Sequence, residues 1–207
     1  MFEIIISYSI YIAIFLTSMT GIKYISYKSS IRNTHKIFKI FANKHKGLLN
    51  KGSFLVAPSV SFSNEKNMTV SLRSYYLYKG RRGNYTEVSL KLDSTNYLTF
   101  FNIEIDKHSK DIVRINETTF NYKETLNIKN LPNINNTRDE KELYKKLIPL
   151  IAAICEKSST DLAQCQFNGE MVTIRVLQLF ETIEELDIFY KQAHKICLEA
   201  LEIIKKS

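Results

Sequence analysis

His194 and Cys197 stand three residues apart in "KQAHKICLEA", and on a helix that spacing places an imidazole and a thiol on one face. Such a pair could give a zinc ion two ligands. A structural zinc takes four, and Cys155 and Cys165 fall at no spacing that would complete the set. Cys is among the most buried residue types, so the pair reads as core and no metal is assigned. Cys165 carries the atom of a nucleophile, but the sequence names no base to activate it. Asp106 and Asp111 bracket "KHSK", where an Asx-turn role suffices, and His35, His45 and His108 fall in basic or turn segments that read as solvated. Three cysteines without a C-x-x-C argue against a disulfide framework. There is no P-loop, G-x-S-x-G, H-E-x-x-H, EF-hand loop, or G-x-G-x-x-G after a strand. Binding is expected rather than catalysis, with no catalytic residue and no cofactor assigned; an enzyme of unrecognised type ranks last.

A binding surface is suggested by "RSYYLYKGRRGNY", residues 73–85. Arg73, Lys79, Arg81 and Arg82 interleave there with Tyr75, Tyr76, Tyr78 and Tyr85 around a glycine-bounded turn. Aromatic faces with a basic rim can stack bases and hold phosphates, of nucleic acid or of anionic lipid. Side chains alternate along a strand, so Tyr76 and Tyr78 share one face and Tyr75 takes the other. Tyrosine also enters strands for its β-propensity alone, which leaves a solvated hairpin tip as the plainer reading.

The elements that would position these residues begin with an uncharged run, residues 4–22, in "IIISYSIYIAIFLTSMTGI". As a helix it would be roughly 28 Å long, close to the hydrocarbon thickness of a bilayer. A membrane span is expected. A cleaved signal fits less well, because Met-Phe-Glu supplies no basic side chain and no A-x-A site follows; a buried core helix would lack a polar face. Between Glu3 and Glu65 no acidic residue occurs, whereas Lys23, Lys28, Arg32, Lys36, Lys39, Lys44, Lys46 and Lys51 all fall there and account for the whole net charge of +8. Basic residues are retained on the cytoplasmic side, so the N-terminus is expected outside and the rest inside. Free cysteines agree with a reducing compartment, against four N-x-S/T sequons at Asn67, Asn84, Asn116 and Asn135.

In residues 28–51, Ile31, Thr34, Ile37, Phe38, Phe41, Ala42 and His45 recur at helical spacing, with Arg32, Lys36, Lys39, Asn43 and Lys46 opposite and Gly47 as a stop. The stripe suits packing onto a domain. The cations Lys23, Lys28, Arg32, Lys36 and Lys39 suit anionic headgroups. From Gly52 the period becomes two, and strands are expected at 54–62, 68–78, 85–92, 97–105, 112–115 and 119–128, with short antiparallel connections. Thr137 and Glu140 form a capping box for a helix over 138–157, apolar almost all round at "LIPLIAAIC" and kinked at Pro149. A hairpin over 160–180 turns at Asn168-Gly169, and Thr182 with Glu185 caps a last helix over 183–205.

The predicted fold is therefore α+β: an N-terminal transmembrane anchor and flank (1–27), the basic amphipathic juxtamembrane helix (28–51), and one antiparallel-sheet domain (52–207) with helices on one face. The order of elements, with "YKGRRGNYTEVSL" followed by "DIVRINETTFNYKETLNI", resembles an uncharacterised bacterial membrane-anchored α+β domain family. That family has a G-R-Y-R-G-R-like hairpin and a G-D-x-x-F-D-x-x-F stretch. Here Asn116-Glu117 stands for Gly-Asp, Phe120-Asn121 for Phe-Asp, and Glu124 for the second Phe. The resemblance implies architecture and carries no function. The expected function is a cytoplasmic-facing binding or scaffold protein whose partner is a protein or the bilayer surface, with nucleic acid as the alternative.

Overall fold

The computed structural model describes residues 11–12, 14–15, 17–18, 21, 32–52, 58–64, 68–77, 83–91, 101–106, 112–115, 118–121, 138–157, 160 and 162–204. They form an α+β domain built on one antiparallel sheet. Helix α1 covers 32–44 and leads into β1 (Leu48–Asn50), β2 (Ser59–Ser63), β3 (Thr69–Leu77), β4 (Gly83–Lys91), β5 (Phe101–Asp106), β6 (Ile112–Ile115) and β7 (Thr118–Asn121). Helix α2 (Arg138–Lys157), β8 (Leu162–Phe167), β9 (Met171–Val176) and α3 (Ile183–Ile204) complete the described chain.

The strand order is β1-β2-β3-β4-β9-β8-β5-β6-β7. Two meanders, β1–β4 and β5–β7, are thus joined through the β8–β9 hairpin, which arrives late in sequence and occupies the centre. Local patterning predicts the hairpin but not its place, because the partners of β9 and β8 lie far back in the chain. Strand β1 is also missing from the sequence reading, since three residues carry no periodicity. Of the other expected strands, 112–115 coincides with β6, and the remaining ends agree to within two residues except 54, 97 and 128, which lie outside the described residues.

Alternation in these strands produces one wholly apolar face. Val60, Leu72, Val88, Ile174, Cys165, Ile103 and Ile115 follow one another across seven strands, each at most 1% exposed. The helices cover this face: α2 packs on β8 and β5, α3 on β9 and β4, and the two helices meet each other. In α2, Leu147, Ile148, Ile151, Ile154 and Cys155 are buried, while Pro149 stands exposed inside the helix. Helix α3 buries Leu186, Phe189, Tyr190, Ala193, Ile196, Cys197, Ala200, Leu201 and Ile204, the i, i+3, i+4 stripe its sequence shows. Its start is held by the capping box: Glu185 N–H donates to Thr182 Oγ1 at 3.2 Å and Thr182 N–H to Glu185 Oε2 at 3.3 Å. The corresponding cap at Thr137 lies outside the described residues.

The central hairpin turns one residue later than Asn168-Gly169 suggests. Phe167 stands opposite Val172 and Asn168 N–H donates to Met171 O at 3.3 Å, leaving Gly169-Glu170 as the central pair. Gly169 has φ of 88° and Glu170 does not have a positive φ, the pattern of a type II′ turn. Asn168 acts instead through its side chain, whose Oδ1 accepts from Glu170 N–H at 3.2 Å and Met171 N–H at 2.9 Å.

Of the uncharged run 4–22, seven residues are described: 11, 12, 14, 15, 17, 18 and 21 are helical and exposed. The rest of the expected span, with Lys23 and Lys28, lies outside the described residues. Among the described residues no helix is long and apolar enough to cross a membrane, so a transmembrane helix is not a feature of the described fold.

Helix α1 buries Thr34, Ile37, Phe38, Phe41 and Ala42 and exposes Arg32, Lys36, Lys39 and Asn43. It ends in a Schellman motif: Gly47 N–H donates to Ala42 O at 2.8 Å and Lys46 N–H to Asn43 O at 3.4 Å. The left-handed residue is Lys46, at φ 53°, and not the glycine. Gly47 is required for space, because a Cβ there would lie 2.9 Å from Ser61 O and 3.2 Å from Phe62 Cβ on β2. Gly47→Ala should therefore destabilise the domain by about 1–3 kcal/mol through forced displacement of β2. Lys46→Gly should instead stabilise it by about 1 kcal/mol by relieving the left-handed backbone. Urea midpoints of the two variants moving in opposite directions would check both roles.

Candidate functional site

One residue along each strand from the apolar row runs a polar row on the opposite face. Ser59, Arg73, Glu87, Arg175, Gln164, Glu104, Arg114 and Thr119 stand opposite one another in turn, from β2 to β7. Charge alternates along it. Arg175 Nη2 and Nε donate to Glu87 Oε2 at 3.1 and 3.3 Å, and Arg175 Nη1 donates to Gln164 Oε1 at 3.3 Å. Gln164 Nε2 passes on to Asn102 Oδ1 at 2.8 Å, and Arg114 pairs with Glu104. The neighbouring row carries Ser61, Ser71, Ser89, Thr173, Gln166 and Asn102, with Ser89 and Thr173 hydroxyls 3.0 Å apart. Because each described carboxylate in the row meets a guanidinium, the face offers fixed hydrogen-bonding groups rather than an acid and a base poised for proton transfer. Arg73 differs: it is exposed, and Glu87 across from it is engaged by Arg175.

The described part of segment 73–85 belongs to β3 and β4. Tyr75 stands opposite Tyr85, Tyr76 opposite Asn84 and Leu77 opposite Gly83, where the described parts of β3 and β4 end. Tyr78, Lys79, Arg81 and Arg82 lie outside the described residues, as do the side chains of Tyr75 and Tyr76. Tyr85 is buried, at 3% exposure, and offers no free ring for a base to stack on. Of the expected membrane-surface cations, Arg32, Lys36 and Lys39 are exposed on α1.

A second constellation forms where α1, β2 and α3 meet. His45, at the end of α1, stacks on Phe62 with ring centroids 4.9 Å apart, lies 4.3 Å from Phe41 and meets Tyr190 edge-on at 5.1 Å. Its Nε2 is buried with no hydrogen-bond partner, and Asp187 Oδ1 is 3.9 Å away. Asp187 is itself bonded to Lys44. Burial pushes the His45 pKa below its ordinary 6.5, with Asp187 opposing. His45 is thus no solvated side chain, and His35 also has a buried, unpartnered Nε2. The chemistry first suggested by His194 and Cys197 does not assemble. His194 stacks on Tyr190 at 5.5 Å with Nε2 3.1 Å from Asn64 Nδ2, while the Cys197 thiol points at Val172 O, 3.8 Å away beneath the sheet. Among the described residues no group of three His, Cys, Asp or Glu could hold a metal. Cys165 is fully buried, and desolvation together with Cys197 pushes its thiol well up, the opposite of an activated nucleophile.

The polar row was only half visible in the sequence, where each charge sits at a polar position of its own strand; aligning them needs the long-range register. No protein-family model, curated protein or solved structure matches this chain.

The His45 environment gives a pH dependence. Its folded pKa is depressed, so the unfolded chain binds the extra proton first, and stability falls as pH drops below about 6.5. His45→Phe keeps a ring among the aromatics and removes the buried nitrogen. The variant should match the parent at neutral pH and lose less stability on acidification, as measured by thermal midpoints across that range.

Proposed function

We propose that this chain is a single-pass, membrane-anchored binding or scaffold protein that presents its α+β domain to the cytoplasm. The observation that carries the reading is the state of the uncharged run. Tyr11, Ile12, Ile14 and Phe15 are 57–70% exposed on helical backbone. Together with residues 17, 18 and 21 they occupy more than half of the helix circumference at 100° per residue. A core helix would bury such side chains, each contributing about 1.5–3 kcal/mol when removed from water. A bilayer supplies that burial where the domain does not. The basic flank supports the orientation, since Lys23, Lys28, Arg32, Lys36 and Lys39 all follow the run.

Full-length protein should stay with membranes after alkaline carbonate washing, and protease added to spheroplasts should leave the domain intact. Release by carbonate removes the anchor. Glycosylation at Asn67 or Asn84 in a secretory host reverses the topology.

A second reading, phosphate binding through the 73–85 hairpin, is favoured by the exposed Arg73 guanidinium at its base. Replacing Lys79, Arg81 and Arg82 together with Ser should lower affinity for single-stranded nucleic acid and reduce its salt slope by about two units or more. An unchanged slope assigns these charges to solubility.

A further inference from the structure

His45 stands at a corner of the fold. It follows α1 directly and precedes the left-handed Lys46, and its ring is enclosed by one residue from each of three elements: Phe41 of α1, Phe62 of β2 and Tyr190 of α3. Those three rings also touch one another, with centroids 5.3, 5.6 and 5.9 Å apart. The imidazole thus completes the cluster that seats the end of α1 on the sheet. Its Nε2 is buried with no hydrogen-bond partner, and Asp187 Oδ1, at 3.9 Å, is beyond hydrogen-bonding reach. The other Asp187 oxygen is engaged by Lys44. The ionisable groups around the ring are Lys44 from α1 and Asp187, Lys191 and the Tyr190 phenol from α3; β2 carries none.

We propose that this corner is an acid-opened joint: when His45 gains a proton its ring leaves the enclosure, and the turn from Asn43 to Gly47 loosens from β2 while the sheet and its covering helices stay folded. The inference concerns the seat of α1 on the sheet and stands apart from the anchor reading. A proton turns a ring that packs into a cation that needs water. Aromatic faces attract a cation without replacing its hydration. Burial is the largest effect at this ring and disfavours the charge; Asp187 opposes it, while Lys44 and Lys191 add to it. Little help comes from the helix end, because the carbonyls of Phe41, Ala42 and Asn43 already accept from the N–H groups of His45, Gly47 and Lys46. The escape is local. The His45 side chain is 24% exposed, so one turn must yield, whereas Phe38 and Phe41 can keep α1 in place. None of the four rings belongs to α2, β5 or β8. The closed joint has its full stability above about pH 6.5 and loses it as pH falls towards the depressed folded value.

Amide hydrogen exchange of the full chain in detergent micelles tests this, read peptide by peptide with labelling times scaled to the intrinsic exchange rate at each pH. Between about pH 7.5 and about pH 5.5, peptides covering 41–50 and 59–63 should lose protection by up to about tenfold, the ceiling for one group that titrates near 6.5 when the joint is open. Peptides from α2, β8 and β9 should keep theirs. His45→Phe, which retains His35 and His194, should abolish the local loss. A uniform loss across all peptides overturns the joint, because acid then destabilises the whole domain. The same local loss in His45→Phe overturns it by assigning the effect to another group, and no loss in the parent shows that the closed corner carries the charge. Should His45→Phe not fold, the parent decides through its own His45 ring resonances. A folded pKa at or above about 6.5 overturns the inference, and a lower one together with the local loss supports it.

Discussion

The register of β9 is the constraint on which the rest of the domain depends. On its two sides it meets β4 and β8, and through them both meanders are aligned. Ile174 stands between Val88 and Cys165 under the helices, while Arg175, one residue on, stands between Glu87 and Gln164 on the opposite face. A slip by one residue would exchange them. It would place a guanidinium in the apolar layer without its carboxylate, at a cost of about 3–5 kcal/mol, and leave isoleucine on the polar face. The ion pair between Arg175 and Glu87 acts here less as a source of stability than as a statement of register. Only one alignment satisfies the Glu87 carboxylate, which is nearly buried.

That logic explains what the sequence discloses. Alternation in "SVSFS", "FNIEID" and "LAQCQF" follows from one buried face, so antiparallel strands and the α+β class are legible without a structure. The Thr182–Glu185 box is equally local, because donors and acceptors lie within one turn. The insertion of β8–β9 between β4 and β5 is not local. Nothing in "MVTIRV" says which distant strand Arg175 will find, although its run of buried residues suits a central position. The turn at Asn168 fails for a subtler reason: asparagine can take a left-handed φ or cap with its side chain, and here it caps.

The candidate site was legible to a similar degree. Arg32, Lys36 and Lys39 could be assigned to a solvated helix face because helical period separates them from Ile37, Phe38 and Phe41. Tyr85 was misleading, since its neighbours in "RRGNY" are polar but the residue itself is enclosed. His45 was misread from its lysine neighbours. The fold carries it onto Phe62 and Tyr190, which no local pattern foretells, and its ring completes an aromatic cluster joining α1 to β2 and α3.

This cluster gives α1 a double character. Among the described residues the helix carries the exposed cations Arg32, Lys36 and Lys39 that follow the uncharged run, yet Phe41 is fully buried and Gly47 lies against the backbone of β2. It is therefore not a free amphipathic strip able to leave the domain and coat a membrane alone. Releasing it would expose Ile37, Phe38, Phe41 and Ala42, and each of the three large side chains contributes about 1.5–3 kcal/mol of burial. A rigid α1 transmits orientation: whatever surface its lysines meet, the sheet is held at a fixed angle to it. The polar row then lies on the sheet face opposite α1 as a consequence of packing.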